Sequence, residues 1–233
     1  MTAGVRAAFF DLDGTLMDRE PLMEQAIMAV FGRAGAPMDH ERASALVGRA
    51  WQDVHRVLGV EQALDLDVAA FLHEVLTCAD QLVADGFETR VLAGGRELVE
   101  RLHTAGVPVL LVTGSLRREA DTAIAHLGIA PFLTGSLAAE EYRRGKPHPE
   151  CYLAAMAMLG LDPVLDGSAT VVFEDSEVGV ASGLAAGLRV IATSAANRAP
   201  GHSSHQDLSA AHAIVNELDE VTDELLTQVL HGG

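Results

Sequence analysis

The sequence predicts an α/β fold, in which a Rossmann-like parallel sheet with helices on both faces is interrupted by an inserted α-helical domain. From residue 91 onward, short apolar runs alternate with segments that carry apolar residues at helical spacing, as in parallel sheets covered on both faces. Residues 20–87 show helical spacing without strand-like runs. Later in the chain, the pattern predicts helices over residues 95–104, 117–127 and 217–230, a short strand near 132–134, and an irregular surface loop over 194–211. We therefore expect a core domain of residues 1–16 and 91–233, and a helical domain of residues 17–90.

The composition restricts the class of protein. The chain has 233 residues, of which 49% are hydrophobic, so it can bury a substantial core. Its formal net charge of −17 argues against partners such as nucleic acid or an anionic membrane. Two cysteines are too few for a disulfide framework, and no stretch resembles a signal peptide or a membrane span. We expect a soluble, cytoplasmic protein that is a monomer or a weak homodimer.

The first predicted strand, residues 5–10, leads directly into two carboxylates. The sequence there is VRAAFF followed by DLDGTL, which places Asp11 and Asp13 at the carboxyl end of an apolar strand. In open α/β sheets this end is where ligands bind. An ordinary turn, with Asp and Gly present only for turn geometry, is the alternative for this stretch by itself.

Polar groups also follow later predicted strands. Residues 107–112 end in a TGS turn, a polar loop carries Lys146, and residues 170–173 end in two acids. Because the carboxyl ends of parallel strands meet at one edge, we expect these side chains to converge in one crevice. The candidate set is Asp11, Asp13, Thr113, Gly114, Ser115, Lys146, Glu174 and Asp175.

Lys146 has an unusual standing in the composition. It is the only lysine among the 16 lysine and arginine residues, and the others are all arginine. Lysine offers a compact ammonium that arginine cannot replace. Because Lys146 is expected to lie among the strand-end groups, we expect its ammonium to have a function at that site.

Phosphoryl transfer is the chemistry that suits this set. A carboxylate such as Asp11 can attack phosphorus and form an aspartyl-phosphate. Mg²⁺, held by Asp11 and Asp175, would cancel the repulsion between the two anions. Asp13 can protonate the leaving oxygen and later deprotonate water. Thr113, the backbone N–H groups that lead into the next helix, and Lys146 can hold phosphate oxygens.

These motifs resemble the haloacid dehalogenase superfamily, in its subgroup with a helical cap, which includes sugar phosphatases and β-phosphoglucomutase-like proteins. The matching stretches come in the family's order and are DLDGTL at 11–16, TGS at 113–115, KPHP at 146–149 and FEDS at 173–176. The resemblance implies that residues 17–90 are the cap, whose opening admits substrate.

The resemblance also implies a role for each motif. Asp11 would be the nucleophile and a metal ligand, and Asp13 the acid and base, with its backbone carbonyl on the metal. Asp175 would complete the metal shell with Glu174 beside it. Phosphate would be bound by Thr113, Gly114, Ser115 and Lys146.

The family pattern favours one chemistry among several. Dehalogenases lack the second aspartate, which is present here as Asp13. Phosphonatases need a cap lysine, and mutases similar to β-phosphoglucomutase need a cap lysine and an early histidine; residues 17–90 have no lysine, and residues 18–23 read DREPLM. The favoured function is a Mg²⁺-dependent phosphatase of a small phosphorylated metabolite, such as a sugar phosphate. A phosphosugar mutase and a receiver-like phospho-ligand binding protein are the alternatives.

Substrate choice is expected to reside in the cap. Glu20 and Arg49 are the candidates for substrate binding, whereas Trp51 is expected to pack in the cap interior and His55 to lie on a solvated helix face. In the core domain, Gly183 stands where the family tends to have alanine. We expect it to destabilise its helix by about 1 kcal/mol relative to alanine.

Overall fold

The computed structural model describes residues 4–39, 42–43, 51–197 and 206–232. The described chain forms two compact units. One comprises residues 4–17, 91–197 and 206–232, and the other comprises residues 18–39, 42–43 and 51–90.

The larger unit is built on a six-stranded parallel sheet, so the predicted fold class is confirmed. In spatial order the strands are β5, β4, β1, β6, β7 and β8, and each neighbouring pair is parallel. A separate two-stranded sheet pairs β2 with β3. The strands are β1 (Ala7–Phe10), β2 (Met17–Asp18), β3 (Arg90–Val91), β4 (Val109–Val112), β5 (Gly135–Leu137), β6 (Thr170–Glu174), β7 (Arg189–Thr193) and β8 (Ala213–Val215).

Helices cover both faces of the large sheet. Because side chains alternate along a strand, Phe10 joins one apolar cluster and Phe9 the other. The Phe10 cluster includes residues of α5, α6 and α10, and the Phe9 cluster includes residues of α7 and α9. The helices of this unit are α5 (Gly95–Thr104), α6 (Arg117–Leu127), α7 (Glu150–Met158), α8 (Pro163–Asp166), α9 (Glu177–Ala185) and α10 (Asp223–His231).

The smaller unit is helical and has its own apolar core. Its described helices are α1 (Glu20–Arg33), α2 (Trp51–Leu58), α3 (Val60–Leu64) and α4 (Val68–Ala84). Trp51 packs edge-on against Phe71 at 6.1 Å between ring centroids, as expected for a core aromatic. His55 is half-buried rather than solvated, with Nε2 2.7 Å from the Leu66 carbonyl oxygen. Among the described residues, no helix has the length and apolar character needed to cross a bilayer.

Two elements differ from their sequence-based bounds. The strand expected near residues 132–134 starts later, at Gly135, because Pro131 lies in a short 3-10 helix, Ala130–Phe132. The last helix was expected over residues 217–230 but begins at Asp223. The Thr222 hydroxyl caps it by accepting a hydrogen bond from the Leu225 N–H at 3.2 Å.

The expectation that Gly183 weakens its helix rests on helix propensity alone, whereas packing at this position opposes a larger side chain. A Cβ at this position would lie 2.8 Å from Cγ2 of Val190 and 3.6 Å from Cβ of Val172. The glycine therefore allows α9 to approach strands β6 and β7 closely. The gain in helix propensity from alanine would be outweighed by overpacking.

Replacing Gly183 with alanine should therefore lower stability by about 1–3 kcal/mol, the usual range for overpacking. Gly32, in α1, is a matched control because a Cβ there meets nothing within 4 Å. Gly32→Ala should raise stability by about 1 kcal/mol through helix propensity. Urea unfolding of both variants measures the two effects. A stabilised Gly183→Ala would contradict the packing argument.

Candidate active site

The predicted strand-end residues lie together at the carboxyl edge of the large sheet. Asp11 follows β1, and its N–H donates to the Phe173 carbonyl of β6 at 3.0 Å. Thr113 follows β4, and its N–H donates to the Leu137 carbonyl of β5 at 2.9 Å. Backbone pairing thus continues one residue past the strands. It aims these buried side chains at the edge where ligands bind in parallel sheets.

The Lys146 ammonium bridges two carboxylates from different strands. Its Nζ lies 2.5 Å from Oδ1 of Asp11 and 2.6 Å from Oε1 of Glu174, and it also donates to the Val112 carbonyl at 3.3 Å. The three charged side chains are nearly or fully buried, with 10%, 9% and 0% exposure for Lys146, Asp11 and Glu174. Buried charges of this kind require close pairing.

Burial strongly affects the protonation of this group. It raises the pKa of Asp11 to about 7, although the Lys146 charge acts to lower it and Glu174 acts to raise it further. Burial alone would lower the pKa of Lys146, but the carboxylates of Asp11 and Glu174 raise it well above its usual value. The lysine is therefore a permanent cation, and positive charge close to Asp11 favours its ionised form.

The Glu174 carboxylate is held by several hydrogen bonds besides its contact with Lys146. Its Oε1 accepts from the Tyr152 hydroxyl at 2.6 Å, in addition to its contact with Lys146. Its Oε2 accepts from the backbone N–H groups of Asp175 (3.2 Å) and Ser176 (3.4 Å) and from the Ser176 hydroxyl (3.1 Å). These contacts fix the carboxylate and shape the loop that carries Asp175.

Three carboxylates are arranged as a divalent cation would need them. One oxygen from each of Asp11, Glu174 and Asp175 lies within 4.8 Å of the others. Carboxylate oxygens are hard ligands of the type that Mg²⁺ and Ca²⁺ prefer. The donor chemistry of this set therefore fits a divalent metal, and the cluster can hold one.

Two glycines make room for these acids. A Cβ on Gly14, whose φ is +85°, would lie 1.9 Å from Oδ2 of Asp175, and a Cβ on Gly179 would lie 2.0 Å from the Glu174 carboxylate. The Thr15 hydroxyl donates to Oδ1 of Asp175 at 3.4 Å. Gly14 and Thr15 thus do more than turn the chain after the first motif, since they also hold Asp175 in place.

Asp13 and the turn after β4 are joined by a short hydrogen bond. The Ser115 hydroxyl donates to Oδ2 of Asp13 at 2.6 Å. The turn itself is closed by a bond from the Ser115 N–H to Oγ1 of Thr113 at 3.0 Å, and Tyr142 donates its hydroxyl to the Thr113 carbonyl at 2.8 Å. Because a hydroxyl can both accept and donate, Thr113 retains a hydrogen for a ligand.

The start of the helix that follows this turn, α6, does not present the backbone N–H groups that the sequence indicated for phosphate binding. The N–H groups of Leu116 and Arg117 were candidates for holding phosphate oxygens. In the structure they donate to the carboxylates of Glu119 (3.1 Å) and Glu140 (2.9 Å). Phosphate contacts from this segment would therefore come chiefly from residues 113–115.

The two cap candidates are placed differently. Glu20 is the first residue of α1 in the smaller unit, and its N–H donates to Oδ1 of Asp18 at 3.2 Å. Asp18, the last residue of β2, is buried and forms an ion pair at 3.5 Å with Arg90, the first residue of β3. Arg49 lies outside the described residues.

Sequence reasoning missed several supporting residues. Tyr142 and Tyr152 are the two tyrosines of the chain, and both hydroxyls are bonded to site groups. Asn197, in a segment interpreted as surface loop, donates Nδ2 to the Asp175 carbonyl at 2.9 Å. Because the sequence has only two tyrosines, their occurrence near the KPHP motif could have indicated a role at the site. Asn197 has no recognisable motif around it.

Comparison with known proteins agrees with this geometry. Residues 5–187 match the family described as haloacid dehalogenase-like hydrolase. The chain belongs to the haloacid dehalogenase-like hydrolases. The predicted family and enzyme class are thereby confirmed, and named relatives agree with the narrower class of phosphoric monoester hydrolases.

Two relatives and one solved structure illustrate the likeness. The chain is 30% identical to fructose-1-phosphate phosphatase YqaB of Escherichia coli K12 over 78% of this chain and 93% of that protein. It is 32% identical to hexitol phosphatase A of the same organism over 91% of each. A β-phosphoglucomutase structure from Clostridium difficile superposes with a TM-score of 0.76 over 98% of each chain, at 18% identity. At 18% identity, the structural similarity is evidence for the fold alone.

The space left by Gly14 gives a direct test of whether the carboxylate cluster binds a metal ion. We expect Gly14→Ala to weaken Mg²⁺ binding by roughly 10–100-fold or more, the range seen when groups that orient metal ligands are changed, because the new Cβ displaces Asp175. Isothermal titration calorimetry measures the affinity. Gly145→Ala is the control, since a Cβ there meets nothing within 4 Å. Equal affinity in wild type and Gly14→Ala would contradict this function of Gly14.

Proposed function

We propose that the protein is a Mg²⁺-dependent phosphatase that hydrolyses a small phosphorylated metabolite through an aspartyl-phosphate. The observation that carries the proposal is the buried contact of Lys146 with Asp11, next to the carboxylate cluster and the second aspartate, Asp13. An acidic chain with net charge −17 needs such a local cation to receive an anionic phosphate. The sequence motifs and the family support the same assignment.

In the first step, an Asp11 oxygen attacks phosphorus and the bond from phosphorus to the ester oxygen breaks. Lys146 orients Asp11 and balances charge on the transferring phosphoryl group. Thr113, Gly114 and Ser115 bind its oxygens. Asp13 gives its proton to the leaving oxygen, which departs as an alcohol.

In the second step, Asp13 takes a proton from water as that water attacks the phosphorus of the aspartyl-phosphate. The phosphorus–oxygen bond to Asp11 then breaks and inorganic phosphate is released. The Ser115 hydroxyl bond to Oδ2 of Asp13 supports this role, because it fixes the orientation of the carboxyl group. Attack and proton transfer are thus assigned to two different carboxyl groups, those of Asp11 and Asp13.

Asp11 and Asp175, with Glu174 beside them, are the carboxylates that would hold the metal. The family resemblance adds the backbone carbonyl of Asp13. When bound, a divalent cation supplies charge neutralisation between the nucleophile and the phosphate. We propose Mg²⁺ rather than Ca²⁺ because Mg²⁺ is usually bound by one or two carboxylates together with substrate phosphate, whereas Ca²⁺ takes more protein oxygens.

The substrate class is proposed from chemistry and likeness together. Two relatives are named for phosphorylated sugars or sugar alcohols, which favours a sugar or polyol phosphate here. We further propose that residues 17–90 act as the cap and that Glu20 and Arg49 contribute to substrate choice. A cytoplasmic location fits such metabolites.

Removing the nucleophile is the decisive change. In a phosphate-release screen over hexose phosphates, polyol phosphates and phosphoglycolate with Mg²⁺, Asp11→Asn should lose activity by on the order of 10⁴-fold or more. EDTA should abolish wild-type activity. Asp121→Asn, at an exposed carboxylate of α6, is the matched control and should keep full activity. Phosphate release that survives in Asp11→Asn would overturn the proposed mechanism.

The same screen separates hydrolysis from the mutase alternative. Products are analysed by ³¹P NMR, which distinguishes free phosphate from an isomerised sugar phosphate. A phosphatase accumulates inorganic phosphate in proportion to substrate consumed. Isomerisation that requires a sugar bisphosphate, with little phosphate released, would favour the mutase.

Asp13 can be tested apart from the metal. We expect Asp13→Ala to reduce turnover by about 10²–10⁴-fold, as for loss of a general acid and base. Its Mg²⁺ affinity should stay within a few-fold of wild type, because the backbone carbonyl remains. Calorimetry and turnover assays on the same preparation measure both. Loss of metal binding in this variant would refute the division of roles between side chain and carbonyl.

A further inference from the structure

We propose that Tyr152 is a positioning residue that divides the Lys146 ammonium between Asp11 and Glu174. The consequence for turnover rests on the proposed phosphatase function. The positional effect on Lys146 does not, and it can be measured without any substrate.

Tyr152 lies in the first turn of α7 and is fully buried. Its hydroxyl donates to Oε1 of Glu174 at 2.6 Å, and its ring centroid is 5.3 Å from Nζ of Lys146. The ring also stacks on Phe9 of β1, with centroids 6.4 Å apart and planes 7° from parallel. One side chain therefore touches the lysine and its acidic partner, and it is anchored to the strand that carries Asp11.

One carboxylate oxygen of Glu174 has two donors. Oε1 of Glu174 receives both the Tyr152 hydroxyl and the Lys146 ammonium. The same ammonium lies 2.5 Å from Asp11, so two carboxylates share it. The tyrosine hydrogen bond satisfies part of the negative charge on Oε1. It thereby weakens the attraction of Glu174 for the lysine and leaves the ammonium closer to Asp11.

Packing alone would not call for a tyrosine here. A phenylalanine would fill the same space and stack equally on Phe9, while a buried hydroxyl is favourable only if its hydrogen bond is made. The bond that Tyr152 makes goes to a charged acceptor in a fully buried place, where such bonds are strong. The hydroxyl therefore serves the charged group rather than the apolar core.

Removing the hydroxyl should let Glu174 draw Lys146 away from Asp11. Within the described residues, Lys146 would then be the partner that remains on Oε1. The nucleophile would lose part of the charge that orients it. We expect Tyr152→Phe to lower kcat roughly tenfold, the size expected for one lost hydrogen bond to a charged group, with KM changed less than about twofold.

Thr170→Val is the matched control. Thr170 is fully buried at the opposite end of the strand that carries Glu174, and its hydroxyl donates to the Asp166 carbonyl at 3.0 Å. This isosteric change also removes a buried hydroxyl. It should lower thermal stability but leave kcat and KM unchanged when both are measured well below the unfolding temperature.

The composition supplies a readout independent of activity. Lys146 is the one lysine of the chain, so protein made with ¹³C- and ¹⁵N-labelled lysine gives a single lysine side-chain signal set in NMR. We expect the Cε and Nζ signals of Lys146 to shift in Tyr152→Phe and to stay in place in Thr170→Val. Circular dichroism and thermal unfolding confirm that each variant is folded.

The outcomes separate this proposal from the proposed function. Unmoved lysine signals in folded Tyr152→Phe overturn the proposal whatever the activity, and so does a kcat within twofold of wild type. A shifted lysine signal together with the tenfold loss in kcat supports it. If the lysine signal shifts but wild type releases no phosphate from any substrate, the positional effect stands and the phosphatase proposal fails.

Discussion

A single buried ammonium holds the functional edge of this protein together. Lys146 comes from a loop, Asp11 from the end of β1 and Glu174 from the end of β6, and the three meet at 2.5–2.6 Å. The two carboxylates would repel each other without the cation, and burial makes that repulsion stronger. The adjacent ends of the two central strands can therefore carry acids only because the lysine lies between them.

The surroundings of this ammonium are adapted to it by close packing. Gly14 and Gly179 leave the space that the carboxylates of Asp175 and Glu174 occupy. Tyr152 closes the other side with its ring and its hydroxyl. Each of these residues contacts an acid or the lysine, so the positions of the charged groups depend on residues outside the candidate catalytic set.

The sequence predicted the main groups of the site because a parallel sheet collects its strand ends on one edge. Asp11 and Thr113 could be placed from strand patterns alone. The supporting contacts could not be predicted in this way. These contacts depend on packing distances of a few tenths of an ångström, which no sequence periodicity encodes. Examples are the Glu174 oxygen that faces Tyr152 and the close approach of the Gly14 backbone to Asp175.

The fold was also predictable, because regular apolar spacing marks its helices and strands. The errors in the predicted element bounds are local. Helices α5 and α6 begin and end at the residues expected from apolar spacing. The errors arose where one residue changes the local preference, as Pro131 does before β5 and Thr222 before α10. At Gly183 the rule for isolated helices leaves out the close approach of α9 to the sheet, where a Cβ would lie 2.8 Å from Cγ2 of Val190.

The central place of β1 has a consequence for how the chain folds. Phe9 pairs with Leu110 on one side and Val172 on the other, so its neighbours lie roughly 100 and 160 residues away in sequence. Such distant pairing requires large loops to close before the strand gains its partners, and high contact order slows folding. During synthesis, the strand that leads to Asp11 emerges before both of its partners and gains the second one only after β6 has been made. The helical unit has far shorter separations and does not share that delay.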